Sequence, residues 1–243
     1  MSRIVRLALG AAVALLGTRD ALAQDPLVLL PQAYKLVLEN DWVKVVRVHY
    51  GPREKLPRHD HTERAAAYVY LNDGGPVLFN HDYGEMTRPA TKAGSFRLYK
   101  AVKETHEVSN PNDVSSEFLR VEFKTQAVDE ETFRGRYYRD ANAAAKGFET
   151  VQVDHAQLRV TRYVVAPRQT LDVASKPDQP SLLIAITAGR LETRSAESLS
   201  TLTVDPGFVR WLSAGDAQSL QNRGEAPVEL LRFDLKTRPA AAP

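Results

Sequence analysis

Apolar positions along this chain fall mostly into short runs with a period of two, the spacing that places alternate side chains on one face of a β-strand. Val43, Val45, Val48 and Tyr50 stand among Lys44, Arg47 and His49, and Gly51-Pro52 ends the run. Ala67 to Leu71 leads into Asn72-Asp73-Gly74-Gly75, a strong turn signal. Phe118 to Lys124 mixes apolar and charged residues in the manner of a half-buried strand. Only Asp129 to Lys146, rich in Ala with a single Gly135, has the composition of a helix, and it reads as a short helical connector. The predicted class is all-β.

The pattern comes twice. Phe96–Lys124 aligns without a gap on Phe208–Lys236 at an offset of 112, pairing Phe96 with Phe208, Asn110 with Asn222, Glu117 with Glu229 and Arg120 with Arg232. An earlier block aligns at an offset of 115, with Val45, Arg47, Pro52-Arg53, Leu56 and Gly74 opposite Val160, Arg162, Pro167-Arg168, Leu171 and Gly189. Two copies of a module of this size suit a small sandwich or barrel, because a solenoid needs more repeats to bury its core. The expected organisation is residues 24–124 as a first barrel, 125–149 as the connector, 150–236 as a second barrel and 237–243 as a tail.

Charge adds little. The chain has 32 Lys and Arg against 30 Asp and Glu, and no basic run interleaved with aromatics, so nucleic acid is not an expected partner. Residues 1–23 read as a secretory signal peptide. Arg3 and Arg6 precede the apolar stretch Leu7–Gly17, and Ala21-Leu22-Ala23 offers a small-x-small cleavage site before Gln24. The apolar stretch is well short of the roughly 20 residues a spanning helix needs. The expectation is therefore a periplasmic or secreted protein with no stable membrane span after cleavage. The absence of cysteine excludes a thioether lipid anchor.

Of the six histidines, His59-Asp60-His61 and the distant His106 form a pattern. On a strand, His59 and His61 share a face, and an imidazole from another strand can complete a three-nitrogen site for a first-row metal. Gly51, His59, His61 and Gly74, followed by His106 and Asn110, resemble the two motifs of the cupin superfamily. The second motif fits as written. In the first, seven residues separate Gly51 from His59, two more than in the pattern, and the usual glutamate falls within Ala65-Ala66-Ala67. The resemblance covers about residues 37–124, with a weaker echo over 150–236, where the aligned Ala174, Lys176 and Gln218 replace the histidines.

The resemblance implies two double-stranded β-helix (jelly-roll) barrels in tandem, a bicupin with one metal-binding and one degenerate module. It implies one divalent ion of iron, manganese, zinc, nickel or copper on His59, His61 and His106, with Glu63 as an alternative fourth ligand. A small-molecule substrate or ligand follows, handled by an oxygenase, decarboxylase or isomerase, or else bound without turnover by a non-catalytic ligand-binding or sensory module. Homo-oligomerisation is left open. Among the other residues, Arg47 and His49 could line the barrel, with Arg47, like Arg162, in a structural ion pair. Tyr68 and Tyr70 are expected between the modules, His81 in an exposed turn, His155 in a structural role and Asn110 in a turn.

The mature N-terminus is expected at Gln24 or within a few residues of it. Mass spectrometry of the soluble periplasmic fraction checks this, and an intact Met1 there contradicts it.

Overall fold

The computed structural model describes residues 24–240 apart from 130, 132, 140–148 and 197. The segment expected to be a signal peptide, with its expected cleavage site, lies outside the described residues, as does the end of the expected tail. After a single helical turn, α1 (Pro26–Leu29), the first half contains β1 (Tyr34–Glu39), β2 (Val43–Tyr50), β3 (Lys55–His61), β4 (Ala66–Tyr70), β5 (Val77–His81), β6 (Gly84–Arg88), β7 (Phe96–Tyr99), β8 (Glu104–Ser109) and β9 (Ser116–Phe123). The second half contains β11 (Glu149–Asp154), β12 (Leu158–Val165), β13 (Thr170–Ala174), β14 (Ser181–Ala185), β15 (Gly189–Arg194), β16 (Leu199–Val204), β17 (Val209–Leu212), β18 (Ala217–Asn222) and β19 (Val228–Leu235). Between them lies β10 (Gly135–Tyr137). The connector expected to be helical thus carries a strand in its described part, bound to the edge of β7 with Tyr137 stacked on Phe96. That contact gives the segment a sheet edge to pair with, which its composition could not reveal. Residues 140–146, the rest of the expected helix, are outside the described residues. Among the described residues no helix is long and apolar enough to cross a membrane.

Each half is a barrel of two antiparallel sheets with the same strand order. The large sheets run β1-β2-β9-β4-β7 and β11-β12-β19-β14-β17, and the small ones β3-β8-β5-β6 and β13-β18-β15-β16. The large sheets are covered on both faces at their centres, which is why β4 and β14 are buried at every position. One face of β9 sends Phe118 into the first barrel, and the other sends Leu119, Val121 and Phe123 against the second. The two large sheets pack on each other through Phe96, Phe123 and Phe233, whose rings lie 5.9–6.4 Å apart. Close approach is secured by glycine on both sides. A Cβ on Gly94 would sit 2.8 Å from Ile186, and one on Gly207 would sit 2.7 Å from Leu71, and both glycines have positive φ.

The repeat extends to fine detail. Arg53 and Arg168, the second residues of the matched Pro-Arg pairs, both take positive φ (57° and 66°). The Asn110 amide donates to the carbonyls of Gly51 and Val114, and Asn222 donates likewise to Val165 and Ala226, so this asparagine ties two turns together in each barrel. Arg47 pairs with Glu117 at 2.7 Å and Arg162 with Glu229, the structural ion pairs expected. Arg47 approaches Gly207 of the second barrel and does not line its own, while His49 is exposed.

Two alignment details change. Phe96 lies opposite Val69 on β4, and its counterpart by strand register is Val209, not Phe208. Tyr68 and Tyr70, expected between the modules, point into the first barrel, while Ala65, Ala67, Val69 and Leu71 form the inter-barrel face. Period-two patterning groups residues by face but does not say which face is which when both are buried.

Phe233 is fully buried where the two sheets meet. Phe233→Ala should cost about 3–5 kcal/mol, read as a drop in the urea unfolding midpoint. Leu199→Ala, at an exposed position, should cost less than about 0.5 kcal/mol.

Candidate metal centre

Side-chain direction in the small sheet is set by an irregularity in β3. Leu56 lies opposite Val108 on β8, but the next matched pair is His59 with His106, so β3 carries one extra residue over Pro57-Arg58. Such a bulge reverses strand parity, and proline is tolerated at a bulge because the ladder there lacks a donor position. Without it Leu56 and His59 would face opposite ways. With it Leu56, His59 and His61 all point inward, and all three are buried. The second barrel lacks the insertion: Leu171 faces Leu220, and Val173 faces Gln218 directly. Hence the true counterparts of His59, His61 and His106 are Val173, Ser175 and Gln218, in place of the gapless alignment's Ala174 and Lys176.

Strand β8 lies between β3 and β5, and His59, His106 and His81 stand opposite one another across the three strands. Directly opposed side chains on neighbouring strands approach to within about 5 Å. Here the ring centroids are 4.9 Å apart for His59–His106 and 4.8 Å for His81–His106. His61 lies 5.0 Å from His59 and 4.9 Å from His106. Nitrogens of His59, His61 and His106 all fall within 4.8 Å of one another. Glu63 is not part of this group. β3 ends at His61, and Glu63 follows it in an exposed bend. His81 is buried in the cluster, contrary to the exposed turn expected for it. The hairpin turns at Asp82-Tyr83, and His81 stacks between Phe79 and Tyr83.

Burial holds these imidazoles neutral. Desolvation drives His61 well below its ordinary value and His106 down to about 2, with neighbouring imidazoles and Arg120 adding to the shift, and it lowers His59 and His81 as well. Neutral imidazole is the ligating form. At His59, Nδ1 is 2.8 Å from the Pro57 carbonyl, which can only accept, so Nδ1 carries the proton and Nε2 keeps its lone pair. The Tyr34 hydroxyl lies 2.8 Å from that Nε2 and donates to it, and Tyr50, 3.0 Å from Tyr34, then donates to the Tyr34 oxygen. Both His106 nitrogens are buried without a hydrogen-bond partner. An orphaned buried nitrogen beside two others is costly unless something ligates it, and the donor set therefore fits a first-row metal ion.

A small cavity of about 20 Å³, the size of one water, adjoins the cluster, with His61 and His106 in its wall beside Tyr68, Phe79 and Phe118. Glu104, also in that wall, is a buried carboxylate that sequence reasoning passed over. It accepts from Arg120 at 3.1 Å and from the Tyr68 hydroxyl at 3.4 Å. Arg120 also donates to Glu122 at 3.0 Å. Glu104 shares strand parity with His106 two residues away, and His81 with Phe79, but parity alone does not say which strands lie side by side in the small sheet. A second cavity, of about 280 Å³, reaches Tyr34, His61 and Arg120 from outside, beside α1. His155 lies away from the cluster, its ring 5.2 Å from Phe133.

No protein-family model matches the sequence. No curated protein matches it either. Solved structures do. AerE from Microcystis aeruginosa superposes with a TM-score of 0.59 at 11% identity, over 84% of this chain and 97% of that one. YhaK from Escherichia coli gives 0.55 at 11% identity, over 84% and 91%. A variant of salicylate 1,2-dioxygenase from Pseudoaminobacter salicylatoxidans, in complex with gentisate, gives 0.53 at 13% identity, over 80% and 69%. At such identities the likeness is one of fold.

The low proton affinity of His106 has a consequence for stability. An unfolded imidazole takes up its proton near pH 6.5, whereas folded His106 takes it up only at about 2. Between those values the unfolded chain binds more protons, so stability is lost as pH falls below about 6.5. The metal-free protein should show a declining urea midpoint from about pH 7 to pH 5. His106→Gln, the residue of the second barrel, should flatten that decline, and an unchanged slope would count against the burial argument.

Proposed function

From a chain with the tandem-barrel fold of the cupins, we propose an exported bicupin that binds one divalent metal in its first barrel through His59, His61 and His106 and acts there on a small molecule. The observation that carries this reading is the trio of buried, neutral imidazoles with nitrogens within 4.8 Å of one another, placed at the wall of a cavity. A three-histidine site leaves coordination positions free. Here His61 borders the larger cavity beside α1, of about 280 Å³, as an enzyme site requires and a closed structural site does not. The second barrel, with Val173, Ser175 and Gln218 at the matching positions, is the degenerate module.

A metal held by the three imidazoles supplies Lewis acidity or one-electron chemistry at the cavity wall. The protein residues do the rest. Pro57 fixes the His59 tautomer, so that Nε2 presents its lone pair. The Tyr34 hydroxyl donates to that nitrogen and must turn away when the lone pair is used. Tyr68, Phe79 and Phe118 line the small cavity behind the imidazoles and keep that side of the site dry. Arg120 holds the Glu104 carboxylate at the cavity wall, where it can take or return a proton from a bound molecule. Oxygenase, decarboxylase and isomerase chemistry are all compatible with these parts. The dioxygenase among the structural neighbours, with gentisate in its complex, supports the first of them by analogy of fold. The export part of the proposal rests on the N-terminal sequence alone.

Elemental analysis of protein purified from the periplasm tests the metal. One equivalent is expected in the wild-type protein and less than about a tenth of that in His106→Ala, with the fold retained by circular dichroism. Equal metal in both proteins, or none in either, sinks the reading.

A further inference from the structure

Arg88 closes β6 and is buried in the first barrel, 3% exposed. One of its nitrogens donates to the Ser116 hydroxyl at 2.7 Å, while its Nε and Nη1 have no hydrogen-bond partner. The guanidinium lies over the Tyr70 ring, 5.4 Å from its centroid, which offsets part of its desolvation but leaves the donors unmet. Glu104 and Glu122, the buried acids of this barrel among the described residues, are both held by Arg120. A buried guanidinium with unmet donors and no acid to pair with is costly. Desolvation pulls its proton affinity below the ordinary arginine value, and the charge of Arg97 adds to that.

Arg88 stands in the wall of a niche of about 30 Å³ where β6, β7 and β10 meet, a wall that includes none of the histidines. Arg97 and Arg136 stand in the same wall, and no carboxylate does. Arg136 on β10 lies directly opposite Arg97 on β7, and like charges so placed repel. The Arg97 Nε and the Thr91 hydroxyl, also at this niche, are buried without a partner. The shared scaffold does not require the cluster. By strand register Val77 faces Arg88 in the first barrel and Leu191 faces Leu202 in the second, so Leu202 is the counterpart of Arg88, and it packs on that barrel's apolar core. Arg97 has Arg210 as its counterpart, but β17 is the edge of its sheet and no strand brings a second arginine against it among the described residues.

We infer that Arg88, Arg97 and Arg136, with Thr91, bind a single monatomic anion, a halide such as chloride. Size selects it. The niche has room for one or two waters, and a halide ion is only a little larger than a water, whereas a carboxylate, sulfate or phosphate brings several heavy atoms. Charge selects it over water, because three guanidinium groups converge there with no acid in the wall. A spherical ion also accepts from several donors at once without the directional demands of a carbonyl or a carboxylate, and a guanidinium, itself weakly hydrated, gives up little water to meet it. The ion would tie the connector to the barrel. Strand β10 pairs with β7 over only three residues, and an anion between Arg97 and Arg136 turns their repulsion into a joint attraction. This site does not depend on the function proposed above.

The test is thermal melting at fixed ionic strength, with sodium chloride exchanged for sodium gluconate. Wild-type protein is expected to melt about 2–4 °C higher in about 0.1 M chloride than in gluconate. The rise should vanish in Arg88→Leu, which carries the residue of the second barrel, and should shrink in Arg136→Gln. Arg136 is exposed, so its variant is expected to fold and carries the test if Arg88→Leu does not. Anomalous diffraction from bromide-soaked crystals then locates the ion, with a peak expected within hydrogen-bonding reach of Arg88. A rise equal in wild type and both variants, no rise in the folded wild type, or a niche that holds water and no bromide would each overturn the inference. So would a larger rise from sulfate or phosphate that the same substitutions abolish, since those ions exceed the niche. Metal-loaded and metal-stripped protein should respond alike, and a chloride effect confined to the metal-loaded form would place the anion on the metal and overturn the assignment to Arg88.

Discussion

The central strands of the first barrel's large sheet, β4 and β9, have no solvent face. One side packs on the second barrel through Phe96, Leu119, Val121 and Phe123, and the other closes the barrel's own interior with Val48, Tyr68 and Phe118. A strand in that position cannot slip by one residue without driving every side chain into the wrong core. The register of β2, β4 and β9 is therefore held from both sides, and Arg120, Glu122 and Tyr68 are held with it. The small sheet has only one covered face and can accept an irregularity. The bulge at Pro57-Arg58 sits there, in β3, and turns His59 and His61 into the barrel. The rigid sheet supplies the frame, and the tolerant sheet supplies the ligands.

The two barrels act as each other's control. They share strand order, the asparagine that ties the turns, the positive-φ arginine of the Pro-Arg turn and the arginine-glutamate pair at the large sheet. What differs is the interior. Where the first has His59, His61, His106 and Arg88, the second has Val173, Ser175, Gln218 and Leu202. Polar groups in a barrel interior are expensive unless satisfied, and the second barrel shows that the scaffold does not need them. Their presence in the first barrel, with ring nitrogens and guanidinium donors left unmet, is the physical case for a ligand there.

Much of this was legible in the sequence, for identifiable reasons. The tandem β-barrels followed from period two and a repeat, and the convergence of His59, His61 and His106 followed from strand parity and a resemblance in spacing. Three things were not legible. The bulge is invisible to a gapless alignment, which therefore placed Ala174 and Lys176 one residue off. The inward direction of Tyr68 and Tyr70 depends on which of two buried faces is the interior, and patterning cannot distinguish them. His81 and Glu104 needed pairing information, since Glu104 joins the site only because β8 lies beside β3, and His81 only because β5 lies beside β8. The described part of the connector took a strand because β7 offered an edge, a tertiary effect that overrides local composition.

The central claim is that the three imidazoles meet on one ion. Anomalous diffraction from a crystal of the metal-loaded protein tests it most directly. A single peak inside the first barrel, about 2.0–2.3 Å from one nitrogen each of His59, His61 and His106, is the result this account predicts. A peak elsewhere, or one that omits His106, would contradict it.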